Sequence, residues 1–79
     1  MAQIDLDTIE KIDKERCNIQ EKVKTTYSVF SKEGEKYIQI DTYGKKERMD
    51  PEKISQSLQF DEKTARFFVK LFLQEFELL

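Results

Sequence analysis

Histidine and tryptophan are absent from this 79-residue chain, cysteine and proline occur once each, and glycine occurs twice. With no His, and with Cys17 alone, the chain cannot assemble an ordinary zinc site, a Cys-His nucleophile or a Ser-His-Asp arrangement. Most hydrolase chemistry is excluded on that ground, and no cofactor is implied. A single thiol cannot staple a monomer, so nothing points to an oxidising compartment, although one thiol per chain could bridge two copies. Cys17 has only Arg16 beside it as an activating group and reads as a reduced, half-buried helix residue.

Long apolar runs are also missing. No stretch approaches the roughly 18 residues that a membrane span needs. MAQIDLDTIE opens on acids where a secretory leader places basic residues before an apolar run. The expectation is a cytoplasmic protein that does not engage a membrane. Hydrophobic residues make up 38% of the chain, and a single domain this short buries only about 60% of the surface its unfolded chain exposes. A homodimer or higher oligomer is therefore expected.

What is present falls into three segments. Residues 5–22 carry Leu6, Ile9, Ile12, Cys17 and Ile19 among Glu and Lys, with Glu10 and Lys14 spaced i,i+4, and predict a first amphipathic helix capped by Asp5 or Asp7. At Val23 the composition shifts to β-branched and aromatic residues. VKTTYSVF and KYIQIDTY flank SKEGEK and predict a β-hairpin with a loop longer than two residues. On its second strand Tyr37, Gln39, Asp41 and Tyr43 share one face, and Ile38, Ile40 and Thr42 the other. Gly44 opens the charged connection GKKERMDPEK, after which ISQSLQF alternates as a third strand.

Asp61 then predicts an N-cap for DEKTARFFVKLFLQEFELL, a helix over 61–77. Ala65, Phe68, Val69, Phe72, Phe76 and Leu79 form one stripe, expected to pack on the sheet. Phe67, Leu71 and Leu78 form a second stripe that needs its own cover, and they are the candidate oligomer or partner interface. The expected architecture is a single α+β domain over 1–79: an N-terminal helix at 5–22, a small antiparallel sheet of about three strands at 23–60, and the long C-terminal helix packed on it.

The charges give direction without a strong footprint. Net charge is −2, and only residues 23–60 have a positive balance, seven basic groups against six acidic. Within it Lys45, Lys46, Arg48 and Lys53 cluster next to Tyr43. Aromatic rings that stack on unpaired bases, with cations nearby for phosphates, are the chemistry of single-stranded nucleic-acid binding. The candidate nucleic-acid-binding residues are thus Tyr37, Tyr43, Lys45, Lys46, Arg48 and Lys53. A metal-dependent nicking activity would need carboxylates converging on a hard cation. Asp41, Glu47 and Asp50 are candidates by sequence proximity alone, so the chain reads as non-enzymatic and without a metal site.

Asp41-Thr42-Tyr43-Gly44 with Arg48, followed by Lys53-x-Ser55-Gln56 before a strand and a closing helix, resembles a family of short bacterial and mobile-element proteins over residues 25–77. In outline the same order is similar to the single-stranded-DNA-binding transcriptional coactivator fold. That resemblance implies a twisted antiparallel sheet braced by a helix, dimerisation involving the helix, and nucleic acid on the sheet. Tyr37 and Tyr43 would stack, and Lys45, Lys46, Arg48 and Lys53 would hold phosphates. Phage and mobile-element relatives of such folds imply a counter-defence, anti-CRISPR-like role. The alternative is a protein–protein inhibitor of a defence enzyme that touches no nucleic acid. The chain departs from the coactivator pattern in its acidic pI of about 5.2 and in the expected N-terminal helix, which takes the place of a basic, disordered tail.

Overall fold

The computed structural model describes residues 1–44 and 53–78. Strand β1 (Ala2–Gln3) is followed by a single 3-10 turn at Leu6–Thr8, strands β2 (Thr25–Lys32), β3 (Glu35–Tyr43) and β4 (Ile54–Phe60), and helix α1 (Glu62–Glu75). The sheet has four strands in the order β1-β4-β3-β2. β2, β3 and β4 run antiparallel, and β1 adds to β4 in parallel, aligning Ala2 with Leu58 and Gln3 with Gln59. The fold is α+β with a mixed sheet, one strand more than the alternation in the sequence predicts.

The N-terminal helix expected over 5–22 is not formed. Asp5 does cap, accepting the Asp7 N–H at 3.1 Å, but the turn that it starts ends at Thr8. Residues 10–22 are exposed and carry no regular structure. A stripe of five apolar groups over eighteen residues stabilises a helix only when another surface buries it. Here Ile12 and Ile19 face solvent, and Cys17 is exposed rather than half-buried in a helix.

The β2–β3 hairpin also differs from expectation, since its loop is two residues rather than longer. Lys32 pairs with Glu35, which leaves Glu33 and Gly34 at the bend with φ of 53° and 80°. Positive φ at both positions is the type I′ geometry that matches the twist of the flanking strands. At the far end of the β3–β4 pair the register shifts, Thr42 pairing with Gln56 and Tyr43 with Ile54, which leaves Ser55 of β4 as the extra residue of a bulge.

Helix α1 starts where Asp61 accepts the Thr64 N–H at 2.8 Å, and an Arg66–Glu62 ion pair of 2.7 Å supports its first turns. It ends with Phe76 as C-cap and Glu77 at φ 52°, and the Leu78 N–H closes on the Leu73 carbonyl at 3.0 Å. That is the bonding of a Schellman stop. The helix touches the sheet through its N-terminal half, where Phe68 meets Phe60 edge-on with centroids 5.4 Å apart. Beyond that point the stripe expected on the sheet is open, with Val69, Phe72 and Phe76 all exposed. Among the described residues no apolar side chain is fully buried; the buried ones are Asp41, Ser57 and Thr64.

Candidate functional site

Directly paired residues of adjacent strands project to the same side of a sheet, so the register assigns the faces. Tyr37, Gln39 and Asp41 of β3 share a face with Phe30, Ser28 and Thr26 of β2 and with Gln59 and Ser57 of β4. This is the polar face anticipated from the alternation in β3. The opposite face carries Tyr27 and Val29 of β2, Ile38 and Ile40 of β3, and Leu58 and Phe60 of β4.

Across the middle of the polar face runs a connected set of side-chain hydrogen bonds. Gln59 Nε2 donates to Gln39 Oε1 at 2.8 Å, and Gln39 Nε2 donates to Asp41 Oδ1 at 2.9 Å. Ser57 Oγ donates to the same Asp41 oxygen at 2.5 Å. Asp41 is 8% exposed and Ser57 3%, a depth at which a polar group is tolerated when its bonds are made. Asp41 is thus held by neutral donors within the sheet. Among the described residues no three acidic or thiol side chains converge as metal ligands.

Aromatic rings flank this polar centre. At one end Tyr37 stacks on Phe30 with centroids 5.4 Å apart and planes 20° apart. Its hydroxyl donates to Glu35 Oε2 at 3.0 Å, and that bond holds the phenol above its usual pKa. At the other end the Tyr43 hydroxyl shares a 3.1 Å hydrogen bond with Thr26 Oγ1, and Lys24 Nζ lies 5.1 Å from the ring centroid. The latter distance is within cation–π range. The tyrosines are six positions apart on β3, about 20 Å at the rise of an extended chain. Two adjacent bases could not stack on both, whereas a strand of several nucleotides could reach each.

Of the other sequence candidates, Lys53 is exposed just ahead of β4, while Lys45, Lys46 and Arg48 lie outside the described residues, as do Glu47 and Asp50. Phe67 and Leu78 are exposed and Leu71 is half-buried. Sequence reasoning did not single out Phe30, Thr26 and Lys24, because only the register of β2 against β3 reveals which of its residues accompany the tyrosines. The signal was available in the alternation of TTYSVF once the hairpin loop is set at two residues. A wide open depression of about 620 Å³, lined by Gln20, Val23, Thr42, Tyr43, Ser55 and Gln56 among others, adjoins the Tyr43 end. Comparison with family models, with curated proteins and with solved structures gives no match for this chain.

Proposed function

We propose that this chain is a small non-enzymatic module that binds single-stranded nucleic acid on the polar face of its sheet. The observation that carries the reading is the two-ended arrangement of that face. The Phe30–Tyr37 stack and the Tyr43 ring beside Lys24 flank a row of amide and hydroxyl groups. Rings give sequence-tolerant stacking, amides pair with base edges, and cations contact phosphates. Lys24 lies beside the Tyr43 ring, and Lys53, Lys45, Lys46 and Arg48 are the further candidate cations by their place in the sequence. The counter-defence role suggested by the family resemblance belongs to this reading as its biological setting. Association with a nucleic-acid-processing complex fits the same surface.

The test is a fluorescence-anisotropy titration with labelled single-stranded and duplex oligonucleotides at low and moderate salt. Single strands should bind more tightly than duplex, and log affinity should fall linearly with log salt as counterions are released. No binding of DNA or RNA at low salt would remove the reading. A second reading, inhibition of a defence enzyme by protein contact alone through the helix surface, is favoured by the exposure of Phe67 and Leu78. It would then become the leading one.

A further inference from the structure

The open face of the sheet and the open stripe of the helix are halves of one missing core. Tyr27 is 76% exposed, Val29 52%, Ile38 38% and Leu58 40%, all on one face of β2, β3 and β4. Phe72 is 49% exposed and Phe76 70%, one turn apart on α1 with Val69 beside them. A compact chain of 9.5 kDa exposes about 5,000 Å², whereas this one exposes 7689 Å². Its radius of gyration is 15.0 Å, against about 11.6 Å for a compact domain of this length. Part of that surplus lies in the exposed residues 10–22; the exposed parts of the seven apolar side chains just named sum to roughly 700 Å² per chain, close to the about 800 Å² that each partner buries in a standard interface.

We infer that the occupant of both surfaces is a second copy of this chain, in a two-fold dimer where the Val69–Phe72–Phe76 stripe of each helix lies on the Tyr27–Val29–Ile38–Leu58 face of its partner's sheet. The geometry favours a copy over a foreign partner because the two open surfaces are complementary in kind. One is a ridge of a helix and the other a flat β face, which is the standard two-layer packing of an α+β core. A two-fold axis buries both surfaces of both chains at once, whereas a foreign partner would have to bring a sheet and a helix of its own. Beyond the contact with its own sheet, the open part of the helix from Val69 to the C-cap Phe76 is an arm about 11 Å long. Two paired strand neighbours at about 4.8 Å spacing make a face that such an arm can cross. This interface differs from one through Phe67, Leu71 and Leu78, where Leu71 is already half-buried within its own chain. It stands whether or not the polar face binds nucleic acid.

The test is sedimentation equilibrium of the whole chain and of two variants, Phe72→Glu on the helix and Val29→Glu on the sheet. The unmodified chain should sediment at twice 9.5 kDa at micromolar concentration. Each variant should weaken dimerisation about a hundredfold or more, since each places two charges in apolar contact regions. An equimolar mixture of the two variants, refolded together, should regain a dimer. One of its two interfaces then joins an intact helix to an intact sheet. That recovery separates a broken interface from a chain that cannot fold. A monomeric unmodified chain at tens of micromolar with cooperative unfolding overturns the inference. Dissociation by Phe72→Glu but not by Val29→Glu, or failure of the mixture to recover, overturns it too, the former in favour of a helix-to-helix contact.

Discussion

Ser57 and Asp41 face each other across β4 and β3, and the serine hydroxyl donates to the carboxylate at 2.5 Å in a sheet with no fully buried apolar side chain among its described residues. A buried polar pair costs free energy in every register except the one that satisfies it. A one-residue slip of β4 would carry Ser57 to the other face of the sheet. The pair therefore contributes more to fixing how β3 meets β4 than to total stability.

Ser57→Ala should lower stability by about 1–3 kcal/mol, because it leaves a buried carboxylate with one donor fewer. Asp41→Ala should cost a similar amount. The double variant should be less destabilised than the sum, with a coupling of at least about 0.5 kcal/mol. Urea unfolding of the three variants measures this. Simple additivity would mean that the pair is not energetically linked.

The hairpin bend holds a residue poorly suited to it. Glu33 at φ 53° occupies a left-handed conformation that costs an ordinary side chain about 1 kcal/mol, and Asn is favoured at the first central position of a type I′ turn. Glu33→Asn should raise stability by up to about 1 kcal/mol. Glu77, at φ 52° past the helix end, combines the same strain with a negative charge at the negative end of the helix dipole. Glu77→Gly should stabilise by a comparable amount. Thermal unfolding reads both, and a fall in Tm for Glu33→Asn would contradict the turn assignment.

How far the sequence discloses this fold depends on how local the cause of each element is. β2, β3 and β4 follow from period-two alternation, and α1 from a cap followed by dense apolar spacing; each is legible because the residues that form it also specify it. β1 is two residues long and exists because Ile4 donates its N–H to the Gln59 carbonyl and the neighbouring residues align with Leu58 and Gln59. No periodicity can announce such an element. The stretch from Ile9 to Lys22 has the spacing of a helix without a surface to bury it, and spacing alone does not form one. The loop length was missed because Glu33 does not look like a turn residue. In the candidate site the β3 tyrosines and Asp41 were legible from alternation. Their companions Phe30, Thr26 and Ser57 required knowledge of the register.

Acid should loosen α1 from its N-terminus. The Thr64 N–H bonded to Asp61 holds the Asp61 carboxyl below the usual carboxylate range. A group with a lowered pKa in the folded chain contributes stability that is fully present above its unfolded pKa and is lost as pH falls through its folded value. Helix content followed by circular dichroism should therefore fall on the acid side of the ordinary carboxylate range. Asp61→Asn keeps a capping oxygen and removes the charge, so it should flatten that acid limb while preserving the helix at neutral pH. An unchanged acid limb in this variant would assign the transition to other carboxylates.

The proposed nucleic-acid face combines rings and cations, and salt distinguishes their contributions. Tyr37→Ala removes a ring together with its stack on Phe30, and Tyr43→Ala removes the ring beside Lys24. Each should weaken binding of a single strand by about five- to a hundredfold, the range for loss of a base–aromatic stack, while leaving the slope of log affinity against log salt nearly intact. Lys53→Ala and Lys46→Ala each remove a cation and should reduce that slope by about one unit with a smaller loss at moderate salt. Because Tyr43 also bonds Thr26 across the β2–β3 pair, Tyr43→Phe is the necessary companion. It keeps the ring and loses the hydroxyl, so it should retain binding if stacking is the contribution of that residue. Loss of binding in Tyr43→Phe equal to that in Tyr43→Ala would assign the tyrosine to the sheet rather than to the ligand.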